Sequence, residues 1–67
     1  MRKENRSDVD FVNAILPQAS DAQELSTYSV VTRAHLQAWL DSKKIQYSKQ
    51  EKKPVLCQLV WGQYKND

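Results

Sequence analysis

The stretch that decides the fold is residues 36–60, LQAWLDSKKIQYSKQEKKPVLCQLV. Apolar residues recur at the i, i+3, i+4 spacing of a helix on both sides of a polar, lysine-rich connector. They are Leu36, Trp39 and Leu40 before the connector, and Leu56, Leu59 and Val60 after it. Inside the connector, Ile45 and Tyr47 alternate with polar residues, which is typical of an extended segment that turns two side chains inward. The stretch therefore predicts two helices joined by an extended loop.

Length and composition limit what the chain can do. With 67 residues it makes one small domain, and a domain of this size buries only about 60% of its unfolded surface. A single cysteine and a single histidine exclude an intrachain disulfide and a standard zinc cage. No nucleophile–base set, carboxylate pair or phosphate loop is visible. We therefore expect a non-enzymatic domain without cofactor, metal or small-molecule substrate, in which Cys57 is a buried, unreactive thiol.

The charges are unevenly distributed, although the net charge is only +2. Basic residues occur at the start of the chain and around the connector, and the stretch between them is acidic. No segment approaches the roughly 20 apolar residues that span a bilayer, and the N-terminus has no apolar core of a secretory signal. We expect an intracellular protein, in the cytoplasm or the nucleus, with no membrane partner.

The sequence before the connector predicts a tail and one helix. Residues 1–6 are charged and aperiodic, which predicts a flexible basic tail, and residues 7–67 form a single helical domain. A helix over residues 8–16 is expected to begin after the N-cap Ser7 and to end before Pro17, which has no backbone donor.

The middle of the chain predicts a short helix, an extended segment and a longer helix. An S-x-x-Q capping pattern opens a brief helix over residues 20–25. Residues 28–31, YSVV, are β-prone and predict an extended segment that packs on the core. Thr32 then caps a helix over residues 33–43.

The last helix has two candidate starts. Ser48 and Glu51 match an S-x-x-E capping box, but that start would place Pro54 well inside the helix. A start near Glu51 or Lys52 places Pro54 in the first turn, where its missing donor costs little. We favour the later start and expect packing to continue to Tyr64.

A second apolar stripe on the last helix is rotated from the first and consists of Cys57, Val60, Trp61 and Tyr64. We expect the N-terminal helix to cover this stripe. The alternative is an exposed patch, formed by Phe11, Trp61 and Tyr64, that docks a protein partner or a larger nucleic-acid-processing complex. The two interpretations exclude each other.

The spacing resembles the SAP and helix-extended-loop-helix group of small modules, which includes LEM-like relatives. The residues that carry the resemblance are Leu36, Leu40, Asp41, Ile45, Tyr47, Lys52, Lys53, Leu56, Leu59 and Val60. It implies an all-α fold in which a SAP-like core at residues 30–64 is supported by an additional N-terminal helix. The chain departs from the group at Pro54 and at Lys44, since the group usually has a glycine before the first apolar residue of the connector.

The resemblance also implies binding of duplex DNA, or in some branches of the group binding of chromatin-associated or other proteins, through the connector and the start of the second helix. Carried over by position, the contacts are Ser48, Lys49, Lys52 and Lys53, and the predicted site also includes the neighbouring Lys43 and Lys44. Phosphate contacts of this kind do not read the base sequence. Phosphate binding at this site is also expected independently of the resemblance. A helix start presents unsatisfied amides, and neighbouring lysines add positive charge that attracts a phosphate.

A winged helix-turn-helix is the alternative fold. In that fold residues 45–50 and 54–61 pair as a wing, because their apolar residues also alternate. DNA would then be read in the major groove by Arg33, His35 and Gln37. Strands after Ile45 distinguish this fold from the all-α one.

Overall fold

The computed structural model describes residues 6–66 and is all-helical over that range, with no strand. Its four helices are α1 (Arg6–Ile15), α2 (Ala22–Thr27), α3 (Arg33–Ser42) and α4 (Lys53–Asn66). The predicted all-α class is confirmed, and the winged alternative is wrong because its wing requires strands after Ile45. Of the predicted tail, residues 1–5 lie outside the described residues, as does Asp67 at the other end.

The first helix differs by one residue from the prediction at its end. Helix α1 already includes Ser7, which is therefore a helical residue and not the N-cap. The chain then tightens into a 3-10 turn, Leu16–Gln18, that contains Pro17. The proline disfavours α-helical geometry in the residue before it, which explains why the α-helix ends at Ile15.

Helix α2 starts one residue later than the S-x-x-Q pattern predicts. The side chain of Asp21 caps it by accepting a hydrogen bond from the Glu24 amide at 2.8 Å. Ser20 instead donates from its hydroxyl and its amide to the Glu24 carboxylate. These bonds lower the pKa of Glu24, the hydroxyl bond contributing most. The N-cap of α2 is therefore Asp21 and not the neighbouring Ser20.

The predicted cap of α3 is confirmed. The Thr32 hydroxyl accepts from the His35 amide at 3.4 Å, and Nδ1 of His35 accepts from the Thr32 amide at 3.1 Å. This reciprocal pair is a capping box in which histidine takes the place of the usual glutamate or glutamine. His35 therefore stabilises the start of α3.

The core lies among all four helices. Its fully buried side chains are Val12, Leu16, Leu25, Val31, Leu36, Trp39, Leu40, Leu56, Cys57 and Val60. Helix α1 packs mainly on α3, whereas α4 packs on α2 and α3. The expectation that the N-terminal helix packs on α4 is therefore wrong for its main contact, which is with α3.

The segment before α3 also differs from expectation. A turn occupies Ser29 and Val30, and it leaves Val30 59% exposed instead of packed on the core. Val31 is buried, as predicted. The amide of Val31 donates to the carbonyl of Tyr28, and this bond closes the turn and points the two valines in different directions.

Candidate nucleic-acid interface

The connector begins with a left-handed residue at the end of α3. Lys44 has φ 60°, the only positive φ in residues 6–66. The Lys44 amide donates to the Asp41 carbonyl and the Ile45 amide to the Leu40 carbonyl, each at 3.0 Å. This bond pair is a Schellman motif, which usually places glycine at the left-handed position. The chain makes this turn with a lysine at the position where the resemblance expects glycine.

The middle of the connector is neither helix nor turn, and its burial alternates as predicted. Ile45 and Tyr47 are half-buried and pack against the core, while Gln46 and Ser48 are exposed. The Tyr47 hydroxyl donates to Oδ1 of Asp41 at 3.1 Å. Burial, followed by this hydrogen bond, raises the pKa of Tyr47. Two side chains and one polar contact thus fix the course of the connector beside α3.

The end of the connector is a turn that leads into α4. The Glu51 amide donates to the Ser48 carbonyl at 3.1 Å, and the Gln50 amide to the Ser48 hydroxyl at 3.3 Å. Ser48 therefore stabilises a turn rather than the start of a helix. Helix α4 begins at Lys53 and holds Pro54 in its first turn, which confirms the later of the two predicted starts.

Lys44, Lys49 and Lys52 are three of the four exposed lysines of the connector, and the fourth is Lys43. Lys44 and Lys49 line a shallow concavity together with Tyr47, and Lys52 lies at the start of α4. None of the three forms an ion pair with a carboxylate in residues 6–66. Residues 41–53 contain five lysines and two carboxylates, so this segment carries a net charge of +3 against +2 for the whole chain. The positive charge is concentrated here.

The other two lysines of the predicted site are held by the protein. Nζ of Lys43 lies 5.2 Å from the centroid of the Trp39 ring, a cation–π contact. Nζ of Lys53 is half-buried and donates to the Tyr28 carbonyl at 2.6 Å. Lys53 thus connects α4 to the turn before α3.

Sequence reasoning assigned Arg33 to DNA only in the winged alternative and missed its place at this surface. Nη2 of Arg33 donates to the Lys49 carbonyl at 2.9 Å, so the guanidinium lies against the turn that carries Lys49. The two residues are 16 positions apart in the chain. No local sequence signal shows this contact, because it exists only when the connector runs back along α3.

The predicted aromatic patch is not a single exposed surface. Phe11, Trp61 and Tyr64 are all half-buried and pack on the core. Phe11 contacts His35 of α3, with the ring centroids 4.7 Å apart. Trp61 and Tyr64 contact each other on α4, with their centroids 5.4 Å apart. Each aromatic side chain already has a partner within the domain.

Cys57 lies in the core and is fully buried, as predicted. Burial raises the pKa of its thiol to about 11, partly offset by the positive charge of Lys53. Because the thiolate is the nucleophile, a thiol with this pKa is nearly all protonated at neutral pH. Cys57 therefore serves as a core side chain.

None of the helices in residues 6–66 has the length and apolar character needed to cross a bilayer. No protein-family model, curated protein sequence or solved structure is significantly similar to this chain. The function is therefore inferred from the residues of the site.

Proposed function

We propose that this domain binds the phosphate backbone of duplex DNA through its connector and the start of α4. The observation that carries the proposal is the group of three exposed lysines, Lys44, Lys49 and Lys52, which have no carboxylate partner among the described residues. Lysines without internal partners release condensed counterions from DNA when they bind it, and this release favours association.

The start of α4 contributes less through its amides than an ordinary helix start does. Pro54 has no N–H, and the amide of Val55 donates to the Lys52 carbonyl at 3.1 Å. Few backbone donors therefore remain for a phosphate at this end of α4. The side-chain charges supply most of the attraction, and such contacts position a protein without reading the base sequence. We expect weak binding, with dissociation constants on the order of 10⁻⁴–10⁻⁶ M.

The test is the double substitution Lys49→Ala and Lys52→Ala. Binding to a fluorescently labelled duplex is followed by anisotropy at several salt concentrations. We expect weaker binding to every duplex sequence and a log K against log salt slope that is lower by about one to two units. Lys65→Ala is the control, because it removes one exposed positive charge near the far end of α4, where Nζ of Lys65 lies 5.7 Å from the centroid of the Trp61 ring. That control should retain the wild-type slope.

An unchanged slope in the double variant would show that these lysines do not contact DNA. An amide NMR titration of the wild-type protein with the same duplex gives an independent result. Shifts confined to residues 44–55 that fade as salt rises support the proposal. A wild-type protein that shows no shifts with DNA would overturn it.

A further inference from the structure

The first residues of α3 and α4 are both cationic, and each one bonds to the backbone that precedes the other helix. The guanidinium of Arg33 lies 2.9 Å from the carbonyl oxygen of Lys49, before α4. The ammonium of Lys53 lies 2.6 Å from the carbonyl oxygen of Tyr28, before α3. These reciprocal bonds bring both helix starts to one end of the α3–α4 pair. The two cations differ in exposure, since Lys53 is half-buried and Arg33 is exposed.

Arg33 keeps most of its hydrogen-bonding capacity in this arrangement. A guanidinium has five N–H donors in a planar fork, and the Lys49 carbonyl accepts from Nη2 alone. Arg33 forms no ion pair with a carboxylate of residues 6–66. A carbonyl partner orients the guanidinium without neutralising its charge. The remaining donors match the geometry of a phosphate, which arginine binds through two parallel bonds.

We infer that Arg33 is a phosphate-binding residue of the proposed DNA surface and also positions Lys49 within it. The inference rests on the proposed function and extends its site from the connector to the start of α3. One nitrogen of Arg33 holds the turn that carries Lys49, and its other donors bind the DNA backbone beside that lysine.

Three substitutions separate the two roles of Arg33. Arg33→Gln removes the charge but keeps an N–H donor, Arg33→Lys keeps the charge but loses the planar fork, and Arg33→Ala removes both. Binding of each variant to the labelled duplex is measured across a salt series. We expect the slope to fall by about 0.9 in the Gln variant, by at least as much in the Ala variant, and to stay at the wild-type value in the Lys variant. Lys65→Ala serves again as the control.

The positioning role has its own readout in the free protein. We expect the amide shifts of residues 48–51 to move in Arg33→Ala, because the turn loses its contact with α3. A role confined to positioning Lys49 would lower the slope in Arg33→Ala but not in Arg33→Gln, and a slope that falls only in the Ala variant would overturn phosphate binding by Arg33. A wild-type slope in Arg33→Gln would overturn it as well, even if the Ala variant does not fold.

The salt series also distinguishes a failure of the proposed DNA binding from a failure of the inferred role of Arg33. A wild-type protein without salt-dependent binding to duplex DNA would remove the proposed function, and the role of Arg33 would fall with it. Wild-type binding that depends on Lys49 and Lys52 but not on Arg33 would leave the proposed function intact. In that case only the extension of the site to α3 is wrong.

Discussion

Helix α3 contacts two regions, α1 and the connector, whose polar side chains differ in the partners that they have. Where α3 meets α1, polar side chains of α3 contact polar side chains of α1. The indole Nε1 of Trp39 donates to Oδ1 of Asn13 at 2.7 Å, and Nε2 of His35 lies 3.7 Å from Oδ1 of Asp8. On the side of the connector, Lys44 and Lys49 have no carboxylate partner within residues 6–66.

We infer from this difference that one region of the domain supplies stability and the other presents the binding surface. The α1–α3 contact buries the largest core side chain, Trp39, which is 1% exposed, and supplies stability. The connector buries only two half-covered side chains, Ile45 and Tyr47, and presents charge to solvent. Substitutions in the first region should therefore change the free energy of unfolding, and substitutions of exposed lysines in the second should change mainly binding.

The largest effect is expected from Trp39→Ala. This change leaves a cavity in the core and should lower the free energy of unfolding by about 3–5 kcal/mol. Domains of this size have only about 3–5 kcal/mol in total, so the variant should be largely unfolded at 25 °C. Circular dichroism at 222 nm, followed through a thermal melt, measures the loss. A cooperative melt at the wild-type temperature would mean that the α1–α3 contact does not hold the domain together.

A smaller effect on the free energy of unfolding should distinguish two adjacent lysines, Lys52 and Lys53. Lys53→Met keeps the aliphatic stem but removes the donor to the Tyr28 carbonyl, and should lower the free energy of unfolding by about 1–2 kcal/mol. Lys52→Met, at an exposed position, should leave stability within about 0.5 kcal/mol of wild type and lower the salt slope for DNA. Urea unfolding and anisotropy titrations measure the two properties. Equal stability losses in both variants would contradict the division between them.

The smallest effect is expected at the left-handed residue of the connector. Lys44→Gly relieves the cost of φ 60° and should raise the free energy of unfolding by about 0.5–1 kcal/mol, although it removes a cation from the binding surface. Lys43→Gly is the matched control, because Lys43 has φ −95° and gains nothing from glycine. Paired urea titrations test the difference. A Lys44→Gly protein less stable than wild type would show that the left-handed geometry costs this lysine nothing.

Several features of the fold could be predicted because their causes are local in sequence. The cap Thr32, the alternation of Ile45 and Tyr47, and the first-turn position of Pro54 each follow from the residues next to them. The error at Ser20 was a shift of one residue between competing caps, and helix α1 already includes Ser7. The orientation of Val30 was wrong for a different reason, since a turn replaced the extended geometry that its β-propensity favours.

The candidate site could be predicted only in part. The lysines of the connector are visible in the sequence, but their environments are not. Lys53 and Lys52 are neighbours in the chain, yet one bonds to a carbonyl 25 positions away and the other faces solvent. Arg33 could not be grouped with Lys49 because they meet only through a long-range contact.

The sequence by itself determined that the chain is helical, where α3 and α4 lie, and that positive charge collects in the connector between them. These properties depend on periodicity, capping and composition, which act over a few residues. Only the tertiary structure decided that α2 and not α1 lies beside α4, and which cations are held inside. Those outcomes depend on which apolar faces bury each other and on side chains that reach across the fold, and neither is encoded within one turn of helix.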